Sequence, residues 1–147
     1  MTAPKRKPPI ADEATECRAL IEWRDKIGVH RYPELALLYH IPNGGYRHAW
    51  TAHQLRRQGV KPGIPDYHLP VARGRFFSLY IEMKREDGGL LEPEQSAVHA
   101  LLRGQGNRVE LCLGWEPAVA VLEEYLAGAR PVTRGCSRLH SPYALDD

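Results

Sequence analysis

The sequence predicts an α/β protein in which a β-sheet carries helices on its faces. Apolar residues recur at helical spacing near both ends of the chain, short β-rich runs lie between them, and Gly or Pro separates the segments. The predicted order of elements is α-β-α-β-β-α-β-α. The 147 residues fit one domain that is long enough to bury a core.

The first half of the chain is predicted to hold two helices and one strand. A helical apolar pattern begins at about Asp12 and ends near Gly28. The run "ELALLYHIP" at 34–42 is typical of a short buried strand. After the turn "NGG", the polar and basic segment 46–59 indicates a helix that Gly59 ends.

The second half is predicted to hold three strands and two helices. Two strands joined by the link "ARGR" form a hairpin, and Pro93 suits the first turn of the next helix. The predicted elements are two strands at 65–71 and 76–84, a helix from 93 to 104 or 106, a strand at 107–114 and a helix at 116–128.

The ends of the chain differ in composition from the middle. Residues 1–11 are predicted to be a disordered basic arm, 12–128 the folded domain and 129–147 a loosely ordered tail. The sequence has neither a signal-peptide pattern nor an apolar run of about 20 residues, so a cytoplasmic protein with no membrane partner is expected. Three widely spaced cysteines favour neither a disulfide framework nor a zinc site.

Charge is unevenly distributed, although the net charge is only +2. Residues 35–65 contain no acidic side chain. The candidates for DNA-backbone contacts in and after the predicted basic helix are Arg47, Arg56, Arg57 and Lys61, and Arg85 is a further candidate after the longest strand. A solvated helix face explains the same charges equally well.

Two carboxylates and a lysine stand out in the segment between Gly59 and Gly89. Glu82 and Lys84 are two apart in the strand "LYIEMK", so they project from one face with Cα atoms about 6–7 Å apart. Asp66 follows a Gly-Ile-Pro turn at the start of the neighbouring strand. Burying a carboxylate in an apolar strand is unfavourable unless a cation such as Mg²⁺ accompanies it.

This set of residues suits phosphodiester hydrolysis. A bound divalent metal polarises a phosphate oxygen and lowers the pKa of water. Lys84 can then orient the water or neutralise charge on the phosphate. The alternative is a plain ion pair between Glu82 and Lys84 on a solvated face.

Several linked motifs resemble one nuclease family. "HIPNGGYR", "GVKPGIPD", "LYIEMK", "GGLLEPEQ" and "GNRVELCLGWEPAVAVLEEYL" are similar, in this order, to the virus-type replication-repair nuclease (VRR-NUC) domain of the PD-(D/E)XK superfamily. The resemblance covers about residues 16–126. It implies a restriction-endonuclease-like fold, with a central mixed β-sheet flanked by helices, and a DNA endonuclease that requires Mg²⁺ or Mn²⁺.

The resemblance also implies roles for single residues. Asp66, Glu82 and the backbone carbonyl of Met83 are expected to bind the metal. Lys84 is the expected catalytic lysine, and Gln95 is expected to hold that lysine or a metal-bound water. One departure is "LLEP" where the family usually carries Ser before Pro or Glu, which alters the helix cap.

Other assignments leave alternatives open. A glutamate of the first helix often joins such a site; Glu16 fits best, with Glu13 and Glu22 as competitors and a solvated helix face as the other explanation. His40 is a possible substrate contact and Asn43 a supporting residue, although both also suit purely structural roles at a strand end and turn.

The family also implies partners. Its standalone members resemble junction-cleaving homodimers, so branched DNA such as a four-way junction is the expected substrate, in a phage- or prophage-like setting. A DNA-binding module that does not cleave, or a nuclease for other DNA or RNA forms, are the rival functions. The sequence has no P-loop, so no nucleotide cofactor is expected.

Overall fold

A four-stranded mixed β-sheet lies at the centre of the protein, as expected from the predicted order of helices and strands. The computed structural model describes residues 10–42 and 49–131. Its helices are α1 (Glu13–Trp23), α2 (Val29–Arg31), α3 (Ala49–Arg57), α4 (Pro93–Gly104) and α5 (Trp115–Ala127). Its strands are β1 (Tyr39–His40), β2 (Tyr67–Leu69), β3 (Leu79–Lys84) and β4 (Arg108–Leu113).

The strands lie in the order β1-β2-β3-β4. β1 and β2 are antiparallel, as are β2 and β3, whereas β3 and β4 are parallel and joined through α4. Arg73 and Phe76 pair as an isolated bridge within the link between β2 and β3, which confirms the predicted hairpin. Parallel strands need a crossover connection, and α4 provides it.

The two faces of β3 have different surroundings. Leu79, Ile81 and Met83 point into the main core, where they pack with residues of α1 and α5 such as Leu20 and Leu122. Because side chains alternate along a strand, Tyr80, Glu82 and Lys84 face the other way, toward α4. The sheet therefore separates an apolar core from a face that carries charged residues.

The segment between α1 and β1 differs from its prediction in two ways. The first helix does not end at Gly28, because a π-helical turn (Arg24–Gly28) leads directly into α2. The predicted strand at 34–42 is mostly a 3₁₀ helix (Pro33–Leu37) followed by the two-residue β1. Leu35 and Leu38 are both buried, and three-residue spacing places both on one side of a 3₁₀ turn.

The remaining predictions for the ends of the chain concern residues that are mostly not described. Residues 1–9 and 132–147, and the turn at 43–48, lie outside the described residues. Within the described part, α1 begins after Asp12, whose side chain caps the helix by accepting a hydrogen bond from Thr15 N, and α5 ends at Ala127. No helix in that part is both long and apolar enough to cross a membrane.

Candidate active site

A tight turn before β2 places Asp66 at the end of the sheet. Gly63 has a φ of +84°, and a Cβ atom there would lie 2.6 Å from the backbone oxygen of Glu94, so only glycine fits. Pro65 is buried, and Asp66 follows it directly. The turn therefore packs against the start of α4, and Asp66 is presented beside the two elements that carry the other candidate residues.

The carboxylate of Asp66 is bound to the backbone of β3. Its Oδ2 accepts a hydrogen bond from the N–H of Met83 at 2.7 Å. The N–H and C=O of one residue point to the same side of a strand, so the Met83 carbonyl faces the side of β3 on which Asp66 lies. Asp66 thus lies beside Met83, and Glu82 is near enough to Asp66 for the two carboxylates to repel each other, so the three groups expected to supply oxygen ligands are neighbours.

Glu82 and Lys84 lie side by side on the face of β3 that α4 covers. The Lys84 Nζ is 3.3 Å from Glu82 Oε1, and the glutamate side chain is only 2% exposed. The lysine stem passes Gly89, where a Cβ atom would come within 3.1 Å of the Lys84 Cδ. The glycine pair after β3 thus leaves room for Lys84 to fold back along its own strand.

Gln95 on α4 contacts Glu82 directly. Its Nε2 donates to Glu82 Oε1 at 2.6 Å, and its Oε1 accepts from the backbone N–H of Glu92 at 3.0 Å. The second contact caps α4 in place of the missing serine and fixes which way the amide faces. Gln95 was expected to hold Lys84 or a metal-bound water, but its partner in this structure is the carboxylate.

His99 is a residue at this site that the sequence analysis missed. It lies one helical turn after Gln95, is fully buried, and its Nε2 is 3.5 Å from Glu82 Oε2. The spacing of four residues places Gln95 and His99 on the same face of α4. That spacing, counted from the glutamine, is the signal that could have identified it.

The first-helix glutamate expected at the site, Glu16, has a different partner. Its Oε2 accepts from the backbone N–H of Trp115 at 2.9 Å, at the beginning of α5. Glu22 pairs with Lys26 on the surface. Glu13 and Glu22 both line the groove that contains Asp66. Glu13 interacts electrostatically with Asp66 and Lys84, whereas Glu22 interacts with Lys26, so Glu13 is the glutamate of α1 that is placed to join the site.

That groove runs from Asp66 along α1 and has a volume of about 620 Å³. His40 lines it too, and its ring meets the Tyr67 ring edge-on at 5.2 Å between centroids. Burial raises the pKa of Asp66, and His40 lies near enough to its carboxylate to oppose that rise in part. The structure therefore brings His40 to the rim of the site, whereas Asn43 lies outside the described residues.

Burial and repulsion disfavour the charged forms of the clustered carboxylates. Burial, followed by the nearby Asp66, raises the pKa of Glu82 to about 7, although Lys84 opposes this. Burial also raises the pKa of Asp66, although the hydrogen bond from the Met83 N–H opposes this rise. Burial raises the pKa of Glu13 as well, and repulsion from Asp66 raises it further. Burial lowers the pKa of His99. A bound cation would relieve both penalties on the carboxylates.

The basic side chains proposed for DNA contacts fall into three groups. Arg56 and Arg57 at the end of α3, and Lys61 just after it, are exposed and have no carboxylate partner among the described residues. Arg85 instead pairs with Asp87 through two nitrogens, at 3.1 and 3.0 Å. Arg47 lies outside the described residues.

One solved structure has a fold similar to that of this chain. A chain described as "VRR_NUC domain protein" aligns with a TM-score of 0.71 and 22% identity, over 83% of this chain and 93% of that chain. This chain has the fold of a VRR_NUC domain protein. No protein-family model matches the sequence, and no curated protein matches it. The VRR_NUC likeness confirms the expected restriction-endonuclease-like architecture, a central mixed sheet flanked by helices.

The described residues offer a limited set of oxygen donors at this candidate site. Among residues 10–42 and 49–131, no three His, Cys, Asp or Glu side chains converge so as to hold a metal by themselves. Two carboxylates and one backbone carbonyl are instead available, and Glu82 Oε2 is buried without a hydrogen-bond partner. Such a donor set fits Mg²⁺ or Mn²⁺, since these cations retain several waters and also bind substrate phosphate.

Proposed function

We propose that the protein is a metal-dependent DNA endonuclease that hydrolyses phosphodiester bonds. The observation that carries this proposal is the convergence of Asp66, Glu82 and Lys84 at one end of β3, where a buried oxygen of Glu82 makes no hydrogen bond to any described residue. A structural ion pair would have its polar atoms satisfied, whereas this cluster combines carboxylates whose pKa values are raised with an incomplete hydrogen-bond set.

Each residue has a distinct role in this proposal. Asp66, Glu82 and the Met83 carbonyl would hold the divalent cation, which would supply Lewis-acid polarisation of the phosphate and a lowered pKa for the attacking water. Lys84 is held against Glu82, so its ammonium is positioned to neutralise charge that develops on the phosphate. Gln95 keeps Glu82 oriented through its bond to Oε1.

Glu13 replaces Glu16 as the proposed contribution of α1. It lines the groove together with Asp66 and interacts with it electrostatically, whereas the Glu16 carboxylate already accepts a hydrogen bond from the backbone of α5. A carboxylate at the position of Glu13 can hold a water on the metal or a cation beside Asp66. Glu16 is proposed to stabilise the packing of α1 against α5.

The proposed substrate is branched DNA such as a four-way junction, bound by a homodimer. Exposed basic residues at the end of α3 would contact the DNA backbone without reading its sequence. Two symmetric cuts at a junction require two active sites, and a two-fold dimer supplies them. The proposed nuclease domain spans residues 12–128, between a basic arm and a C-terminal tail.

The deciding experiment compares cleavage of labelled four-way junction, flap, duplex and single-stranded DNA, and of RNA, with Mg²⁺ or Mn²⁺. Wild type is compared with Asp66→Asn and with the surface control Glu124→Gln, which also converts a carboxylate to an amide, at a side chain that is 70% exposed and outside the groove. We expect wild type and Glu124→Gln to cut the junction symmetrically and Asp66→Asn to bind it without cutting. Sedimentation of the free and bound protein tests the dimer.

Two other outcomes would change the conclusion. Metal-dependent cleavage of flaps, duplexes or RNA in preference to junctions would keep the chemistry and remove the proposed substrate. Binding of DNA with no cleavage under either metal would establish a binding module on a nuclease fold. That outcome would refute the proposed enzyme.

A further inference from the structure

Three buried side-chain atoms in the described part of the chain lack a hydrogen-bond partner, and all three lie at one place. They are Glu82 Oε2 and the two ring nitrogens of His99, with His99 Nε2 3.5 Å from Glu82 Oε2. Buried polar atoms are nearly always paired, so unpaired atoms that face each other need an explanation. The simplest explanation is that Glu82 Oε2 is the acceptor for a hydrogen bond from His99 Nε2.

The position of His99 on α4 makes it the counterpart of Gln95. The two residues are four apart and so lie on one helix face. Gln95 donates to Glu82 Oε1 at 2.6 Å, and His99 approaches Oε2, the other oxygen of the same carboxylate. One helix thus presents one side chain to each oxygen of Glu82.

We infer that His99 is a positioning residue, which donates a hydrogen bond from Nε2 to Glu82 Oε2 and with Gln95 sets the direction of the carboxylate toward the metal. This inference rests on the proposed function, because the direction matters only if Glu82 is a ligand. The required tautomer is the neutral ring with its hydrogen on Nε2. A carboxylate oxygen has two lone-pair sites, so Oε2 can accept from His99 and still bind a cation.

The surroundings of His99 favour this positioning role over a role that consists only of filling space in the protein interior. The residue is 0% exposed, on the side of the sheet opposite the main core, with Glu82 beneath it. An aliphatic side chain would fill the same space without leaving polar atoms unpaired. A hydrogen-bonded partner of a metal ligand fixes its orientation, and losing such a partner typically weakens metal binding about 10- to 100-fold.

Two amide substitutions distinguish a positioning role from a structural one. In His99→Gln the amide nitrogen reaches the place of the imidazole Nε2, whereas in His99→Asn it reaches only that of Nδ1. Both changes bury one amide at the same site, so general effects on folding should be similar. Only His99→Gln keeps a donor within reach of Glu82 Oε2.

The experiment measures Mn²⁺ binding to the full chain by calorimetry and by electron paramagnetic resonance, without DNA. We expect the dissociation constant to rise about 10-fold in His99→Asn and to stay within about threefold of wild type in His99→Gln. The surface substitution Leu101→Gln on the same helix is the control, since Leu101 is 66% exposed. In a Glu82→Gln background, His99→Asn should cause no further loss, because the group that it orients is gone.

The outcomes separate this inference from the proposed function. Equal Mn²⁺ affinities for His99→Asn, His99→Gln and wild type would overturn the role of His99 and leave the nuclease proposal intact. Equal weakening in both His99 variants would also overturn it, since a donor at the Nε2 position would then make no difference. If wild type shows no Mn²⁺ binding that Glu82→Gln removes, the metal site and the inference both fail.

Discussion

Two buried charged residues, Arg73 and Glu82, differ in how completely their side chains are hydrogen-bonded. Arg73 is 6% exposed, and each of its three nitrogens donates, to the carbonyls of Leu126 and Ala72 and to the carboxylate of Glu34. Glu82 is 2% exposed, and its Oε1 is contacted by Gln95 and Lys84. Its Oε2 lies 3.5 Å from His99 Nε2 but makes no hydrogen bond to any described residue. One charge is fully satisfied within the chain and the other is not.

Under the proposed function, this difference is the one between a structural charge and a functional one. A buried charge with all its partners stabilises one arrangement of the chain, and Arg73 ties the link after β2 to the end of α5 and to Glu34. A buried carboxylate with a raised pKa and an unpaired oxygen is retained at a cost in stability. Such local conflicts are expected where the chain is organised around a ligand.

The largest expected effect is on the cleavage rate and concerns Lys84, which lies beside Glu82. Lys84→Ala should lower the cleavage rate about 10²- to 10³-fold, because it removes one preorganised charge from the phosphate. DNA affinity, measured by fluorescence anisotropy, should change much less. The control is Lys26→Ala, which removes a surface ammonium that pairs with Glu22. A Lys84→Ala enzyme that cuts at the wild-type rate would remove Lys84 from the mechanism.

Arg73 should show the reverse behaviour, with a loss of stability and no loss of intrinsic activity. Arg73→Met leaves two carbonyls and Glu34 without their donor, which should lower the free energy of unfolding by about 3 kcal/mol. Urea denaturation measures this change. Glu34 is 23% exposed and keeps Arg130, which limits the effect. Activity per folded molecule that fell as far as in Lys84→Ala would mean that Arg73 also acts at the site.

Glu82→Gln should stabilise the metal-free protein at alkaline pH. The folded-state pKa of Glu82 is raised to about 7 from an ordinary value of 4.5, so the folded state holds its proton more tightly than the unfolded state. Wild-type stability therefore falls as pH rises from about 4.5 to 7, and the glutamine variant avoids this loss. Because a buried amide also lacks full pairing, we expect a net gain of about 2 kcal/mol at pH 8.

Thermal denaturation from pH 4 to pH 8 measures that difference, with Glu124→Gln on the surface of α5 as the control. The two proteins should converge at low pH, where Glu82 is protonated in both folded and unfolded states. Adding Mg²⁺ at pH 8 should raise the melting temperature of wild type only. If Glu82→Gln is less stable than wild type at every pH from 4 to 8, then the charge of Glu82 is structural, like that of Arg73.

Much of this comparison could be predicted from the sequence where the signal is local. Asp66 after a Gly-Ile-Pro turn, and Glu82 and Lys84 two apart in a strand, were predicted to meet, and the structure brings them together. The order of helices and strands followed from periodicity and from Gly and Pro positions. These features depend on residues close together in the chain.

The missed features depend on contacts between distant segments. Glu13 and Glu16 are both in the first turns of α1, and their separation into a site residue and a contact to Trp115 depends on how α1 packs against α5. His99 resembles a core position of α4 until β3 is placed beneath it. The strand predicted at 34–42 was wrong for most of its length, which is 3₁₀ helix. An apolar run alone does not distinguish a buried strand from a buried helical turn.

The smallest expected effect concerns a third class of charge, which is exposed and has no carboxylate partner among the described residues. Arg56→Gln should weaken DNA binding severalfold and reduce the slope of log affinity against log salt by about 1, since one phosphate contact is lost. Arg85→Gln is the matched control, because Arg85 already pairs with Asp87 and so offers less charge to a phosphate. Folding stability should not change in either variant, as both side chains are exposed. Equal salt slopes in wild type and Arg56→Gln would assign the end of α3 to solvent, and a reduced slope in Arg85→Gln alone would place the DNA along β3 instead.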